Sequence, residues 1–329
     1  MRDRGLRVIH MLCEQADNKA DVVPCDRLRG AYLKPAISRE DHARVLAEGI
    51  DIPRQPPAFA LPLPEVGICG KTVWVRLPEG LIPFAARLEV NLAAEVRGIH
   101  MSRMEEVIAE LYDHDFADLR AYGLQLGREM MARQGASCGR VRLSGQLPLI
   151  STAMVSGRRS VDSLDLSLDL KLTGQGEKLE STAMLGVGVA HITACPCTQA
   201  YNQALFRKVA EDCPLPTHSQ RSKTTLSLQS AGLSPSIGEL LACLEEVLHV
   251  TQDLLKRGDE AQLVYTSHTL PQFAEDAVRE VARRAGEKFG GILPPATLVV
   301  IESLSLESIH IHDVCCRLET TLAEIVGHL

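Results

Sequence analysis

From Val161 to Leu170 the chain reads Val161-Asp162-Ser163-Leu164-Asp165-Leu166-Ser167-Leu168-Asp169-Leu170, a nearly strict alternation of apolar and polar side chains. Successive side chains on a strand point to opposite faces, so this run has one apolar face and one wet face. A strand of a parallel sheet is covered on both sides and reads as a continuous apolar run. The alternation therefore calls for an antiparallel sheet with one face open to water.

Residues 71–77, 84–96 and 139–149 alternate in the same way, and the run itself extends over 160–173. Before the third of these strands, residues 104–112 and 116–133 carry apolar side chains at helical spacing. The second half repeats the order, with a strand at 180–193, a strand at 223–229, helices at 236–256 and 271–288, and strands at 296–303 and 314–321. Two strands, two helices and two strands thus occur twice, and the pattern predicts an α+β fold of two tandem modules, residues 66–175 and 176–329. A chain of 329 residues is long enough for this at the usual ~100–200 residues per domain. Residues 1–65 are rich in Pro, Arg and Asp and form an N-terminal extension. Its one predicted helix begins after Ser38, which caps it, and ends at Gly49.

Composition removes several classes of function. The formal charge of −7 argues against a general nucleic-acid binder, which needs a basic surface to neutralise phosphates. The longest apolar runs, around 184–190 and 298–301, fall short of the ~20 residues needed to cross a bilayer. The charged start Met1-Arg2-Asp3-Arg4-Gly5 lacks the apolar stretch of a signal peptide, so a cytoplasmic location with no membrane partner is expected. Ten cysteines with no regular spacing, two of them adjacent at Cys315-Cys316, do not make a disulfide scaffold and are expected to be reduced. Gly186-Val187-Gly188 lacks the third glycine of a dinucleotide fingerprint, and no phosphate-binding P-loop motif is present.

Chemistry concentrates at Ala194-Cys195-Pro196-Cys197-Thr198-Gln199 and, about twenty residues on, at Thr217-His218-Ser219-Gln220-Arg221. Thiolate and imidazole suit a borderline-soft ion such as Zn²⁺ or Fe²⁺, and a catalytic site keeps one position open. Cys195 and Cys197 are too closely spaced for a zinc ribbon, and no second pair completes one. Three other readings of the pair are open: a tight turn holding two unligated thiols, a thiol redox couple, and a metal that stabilises a non-catalytic assembly module. Further acids and imidazoles stand at predicted element ends, in Lys256-Arg257-Gly258-Asp259-Glu260, Gln272-Phe273-Ala274-Glu275-Asp276 and Glu307-Ser308-Ile309-His310-Ile311-His312.

Taken with Gly98-Ile99-His100-Met101-Ser102-Arg103, these motifs keep their order over residues 66–329, and the chain resembles the GTP cyclohydrolase IB family, including its archaeal-type branch. The resemblance implies tandem tunnelling-fold modules that assemble into a homotetramer with active sites at subunit interfaces. It implies GTP as substrate, opening of the guanine imidazole ring at C8, release of formate and formation of 7,8-dihydroneopterin triphosphate. In the archaeal-type reaction the product is the 2′,3′-cyclic phosphate. It also implies one divalent metal, Zn²⁺, Fe²⁺ or Mn²⁺, on Cys195, His218, Glu260 and His310. Catalytic roles fall on Cys195, Glu307 and His312, purine binding on Glu275, and triphosphate binding on His100, Arg103 and Arg221. Thr198-Gln199 stands where the bacterial branch has Ser-Lys, and the longer segment between Cys195 and His218 is likewise archaeal in type.

Overall fold

The computed structural model describes residues 37–174, 176–206, 214–230 and 234–329. They fall in two units, Met1–Asp51 and Ile52–Leu329. In the first unit the expected helix is present as α1 (Arg39–Glu48). The Ser38 hydroxyl accepts from the Asp41 N–H at 3.0 Å, satisfying one of the orphan donors of the first turn. Residues 1–36 of the extension lie outside the described residues.

The second unit opens with β1 (Leu63–Leu77), β2 (Gly80–Leu92), α2 (Met101–Leu111), α3 (Leu119–Gln134), β3 (Cys138–Thr152) and β4 (Arg159–Thr173). It continues with β5 (Glu180–Ala194), α4 (Pro196–Phe206), β6 (Ser219–Ser230), α5 (Ile237–Glu245), β7 (His249–Val250), α6 (Arg257–Thr269), α7 (Ala274–Phe289), β8 (Leu298–Ser305), β9 (Val314–Thr321) and α8 (Leu322–Val326). These strands pair with one another antiparallel, in the order β1-β2-β3-β4-β5-β6-β8-β9 with the short β7 beside β5. Because β4 pairs with β5, strands β1–β4 and β5–β9 belong to one sheet.

Two features depart from the expected order. Residues 236–256 do not form one helix: α5 stops at Glu245, and His249–Val250 pairs with His191 and Ile192 of β5. Val250 and Thr251 are β-branched and lose rotamer freedom in a helix, and here they lie beside β5, with the Thr251 N–H donating to Ala190 O at 3.1 Å. The segment after Cys195 is a helix, with Pro196 at its first position, where a missing N–H costs nothing and the fixed φ suits the helix.

The alternation predicted for β4 is realised from Ser163 onward, whereas at its start Val161 is exposed and Asp162 is buried, accepting from the hydroxyls of Ser151 and Ser160. Leu164, Leu166, Leu168, Leu170 and Leu172 are buried, while Asp165, Ser167 and Asp169 face the other side. Each such leucine contributes about 1.5–3 kcal/mol through its removal from water. In α3, Leu119, Tyr122, Leu126 and Met130 repeat at helical spacing and are buried. The helix lies close on the sheet because Gly123 and Gly127 face it. A Cβ at either position would stand 2.6 Å from Leu168 Cδ2 or Leu172 Cδ1, respectively. On the opposite, helix-free face a Cβ at Gly186 would collide with the hydroxyls of Ser167 and Ser227, so this glycine serves sheet packing. α7 buries Ala277, Val278, Val281, Ala282, Ala285 and Phe289 and presents its N-terminus to the site described next.

Candidate active site

Read from its end toward its start, the helix-covered face of β6 carries Leu228, Leu226, Thr224, Ser222 and Gln220. Neighbouring strands change character at the same level: β5 passes from Val187 and Val189 to His191 and Thr193, and β8 from Val299 and Ile301 to Ser303 and Ser305. The resulting polar layer is buried and internally bonded. His191 Nε2 lies 2.8 Å from Thr224 Oγ1, which donates to Ser303 Oγ at 2.9 Å. Thr193 Oγ1 lies 2.8 Å from Ser222 Oγ and 3.3 Å from Ser305 Oγ. Burial, with the nearby His249 adding to it, pushes the His191 imidazole down to about 4, so it is neutral at pH 7.

Above this layer opens a cleft of about 290 Å³. Its walls bring together Cys195, His218, Gln220, Glu275, Glu307, His310 and His312, with Gln272, Phe273 and Ser305 between them. Cys195 directly follows β5, and its backbone is held from two sides: its N–H donates to His218 O at 3.0 Å and its carbonyl accepts from Thr217 Oγ1 at 2.6 Å. The Thr198 hydroxyl donates to the Cys195 sulfur at 3.6 Å. Gln199, buried in the same helical turn, donates to His268 O at 2.5 Å and clamps α4 in place. Cys197 is exposed on the first turn of α4 and does not line the cleft.

The imidazoles form a short aromatic series. The His218 and His310 rings meet edge to face with centroids 6.4 Å apart, and His310 stacks on His312 at 5.3 Å. His218 Nδ1 lies 3.1 Å from Gln220 Oε1. The Glu307 carboxylate accepts from Gln220 Nε2 at 3.2 Å and Ser305 Oγ at 3.0 Å. Glu275 sits in the first turn of α7, where the helix dipole favours a negative charge. Beside it, Gln272 Oε1 is buried with no hydrogen-bond partner, while its Nε2 donates to Val247 O at 3.0 Å. The cleft thus offers two acceptors, Glu275 and Gln272, to a donor-bearing ligand edge.

The other expected site residues lie elsewhere. Glu260 is exposed on the first turn of α6. Its neighbour Asp259 turns inward instead, accepting from the N–H groups of Val155, Ser156 and Lys256 at 2.8, 2.9 and 2.9 Å. The Ser156 hydroxyl, followed by these backbone N–H groups, holds the Asp259 carboxyl well below the usual carboxylate range. Arg221 follows Gln220 on β6 and so projects from the opposite face of the sheet. His100 precedes α2, with its N–H and carbonyl engaged by the Gln134 side chain, and Arg103 donates to Arg133 O at 3.1 Å. None of these four lines the cleft.

A thiol and two imidazoles on one wall form a donor set suited to zinc, ferrous iron or manganese. Among the described residues, however, no three His, Cys, Asp or Glu side chains stand close enough together to hold one ion. The donor chemistry fits a metal, and closure of Cys195, His218 and His310 around one requires side-chain movement. No helix among the described residues is long and apolar enough to cross a membrane.

The antiparallel sheet with helices on one face, and a cleft of thiol, imidazole and carboxylate groups at its polar end, define an α+β fold carrying groups suited to hydrolytic chemistry. The family model described as type I GTP cyclohydrolase folE2 matches residues 50–316, and the chain belongs to that family. It is accordingly a hydrolase that acts on the imidazole ring of GTP. The GTP cyclohydrolase MptA of Methanocaldococcus jannaschii is 28% identical over 302 residues, covering 84% of this chain and 96% of that one. GTP cyclohydrolase MptA 2 of Methanocella arvoryzae is 28% identical over 292 residues, covering 81% and 94%. Among solved structures, a uricase from Arthrobacter globiformis superposes with a TM-score of 0.46 at 10% identity, covering 78% of this chain and 92% of that one.

Proposed function

We propose that the cleft at the polar end of β5, β6 and β8 is the catalytic site, in which GTP is opened at guanine C8, formate is released and a dihydropterin is formed. The observation that carries this reading is the convergence of Cys195, His218, Glu275, Glu307, His310 and His312, drawn from four separate motifs, on one cleft. Cys195, His218 and His310 are the residues to hold a divalent ion. Such an ion supplies Lewis acidity and brings the pKa of a water toward neutrality.

The chain's own groups then have these roles. Glu275 accepts from the ring N–H and exocyclic amino group of guanine, since a carboxylate is an acceptor-only partner matched to that edge. Glu307 takes the proton from the water that attacks C8 and returns it to the departing ring nitrogen, and Gln220 and Ser305 fix its orientation for both transfers. His312, stacked on His310 at the rim, is the second proton carrier. A second water hydrolyses the resulting formamide and releases formate, and rearrangement of the ribose with ring closure, which expels one water, completes 7,8-dihydroneopterin triphosphate.

A triphosphate needs localised charge-assisted donors. No Arg or Lys of the described residues lines the cleft, whereas His310 and His312 stand exposed at its mouth beside Ile309 and Ile311. This supports a homotetramer in which His100, Arg103 and Arg221 of a neighbouring copy complete the site. The likeness to the MptA relatives from methanogens favours, as a second reading, the 2′,3′-cyclic phosphate product.

Anaerobic incubation of the protein with GTP and Zn²⁺, Fe²⁺ or Mn²⁺ in turn tests the reading, with formate and pterin followed by mass and Cys195→Ala alongside. Formate and a dihydropterin are expected from the wild type only, and the product mass distinguishes open triphosphate from cyclic phosphate. A folded protein that turns over GTP with none of these metals overturns the assignment of the cleft.

A further inference from the structure

Resting on the assignment of His218 as a metal-holding residue, we infer that Gln220 is a positioning residue that dictates which nitrogen of His218 faces the cleft. The inference follows from hydrogen-bond direction. A carboxylate accepts and does not donate. Glu307 Oε1 lies 3.2 Å from one end of the Gln220 amide, so that end must be the nitrogen; the reverse orientation would set a carbonyl oxygen against a carboxylate. The oxygen end is thereby turned to His218 Nδ1, at 3.1 Å. A carbonyl oxygen only accepts, so Nδ1 carries the ring proton. Neutral imidazole has one N–H, and Nε2 therefore keeps its lone pair.

The same rule orders the hydroxyls beneath. Ser305 donates its one proton to Glu307 and so accepts at its lone pairs from Gln220 Nε2 and from Thr193. Thr193, having donated to Ser305, accepts from Ser222. All of these donors run toward Glu307. His218 and Gln220 are two residues apart at the start of β6 and share a face, which lets one amide touch both the imidazole and a carboxylate 87 residues further on. Gln220 thus links a metal-holding imidazole to the acid/base carboxylate, and neither needs to search for its state when an ion or substrate arrives.

The test is a titration of the metal-free full-length protein with Co²⁺, read by visible absorption, for the wild type, His218→Ala, Gln220→Leu, Gln220→Glu and the exchange Gln220→Glu/Glu307→Gln. Outer partners of metal-binding histidines typically govern affinity ~10–100-fold, and Gln220→Leu is expected to weaken binding within that range. Gln220→Glu alone, which sets two carboxylates face to face, should weaken it as well. The exchange should recover most of the loss, because the introduced carboxylate again accepts from His218 Nδ1 and the amide at position 307 now donates. Unchanged affinity in Gln220→Leu, or an exchange variant as weak as Gln220→Glu, overturns the inference. If Gln220→Leu fails to fold, the near-isosteric pair decides alone. Loss of the ion in His218→Ala with full retention in Gln220→Leu sinks only the role of Gln220. Binding that ignores His218→Ala removes the ligand assignment and the inference together.

Discussion

Lowering the pH from 7 to 5 should destabilise the protein through His191, a group that takes no part in the chemistry. The ring is fully buried, and its folded-state value of about 4 lies well below the ordinary 6.5. Between those values the unfolded chain binds a proton that the folded chain refuses, so stability rises with pH in this window and is lost on acidification. At pH 7 both states are largely neutral and the effect is a few tenths of a kcal/mol. At pH 5 the unfolded histidine is almost fully protonated and the folded one is not, which costs about 2 kcal/mol at 1.36 kcal/mol per pH unit. That is a substantial part of the ~5–15 kcal/mol typical of a folded protein. The assay is urea unfolding at pH 7 and pH 5, comparing the wild type with His191→Gln, whose amide can still meet Thr224 but does not titrate in this range. The variant should lose about 2 kcal/mol less than the wild type over the interval. Equal losses would refute the assignment of His191 as a buried neutral imidazole.

Three further outcomes are expected. Leu226→Ala, at a fully buried position on β6, should lower stability by about 2–5 kcal/mol in the same unfolding assay, with the cavity adding to the lost transfer energy. Ser305→Ala removes a hydrogen bond of 3.0 Å to Glu307. Bonds to charged groups are worth about 1.5–3 kcal/mol, so kcat should fall by roughly one to two orders of magnitude with little change in KM. Glu275→Ala should raise KM for GTP while leaving circular dichroism unchanged, because the side chain is exposed at the helix terminus and supports no core contact.

The strands were legible because a half-wet strand writes its two faces directly into the sequence, as Ser163–Leu170 does residue by residue. The break after Glu245 was hidden because apolar residues continue at helical spacing through Val247 and Leu248, and only pairing with β5 diverts His249 and Val250. The cleft's chemical groups were legible as motifs. Their supports were not, because Gln220 meets Ser305 and Glu307 across 85 and 87 residues of chain, a proximity created by the β6–β8 register alone. At Glu260 the motif is visible, but whether it or Asp259 points inward depends on the hairpin turn at Val155 and Ser156.

The change along β6 from leucine to hydroxyl to amide ties correctness of the site to correctness of the core. A slip of one residue against β5 or β8 would send Gln220 and Ser222 to the helix-free face and Leu226 and Leu228 with them. A one-residue slip therefore cannot scramble the cleft while keeping the apolar interior. The strand acts as its own inspection gauge: its core leucines and its reactive groups take their face of the sheet together.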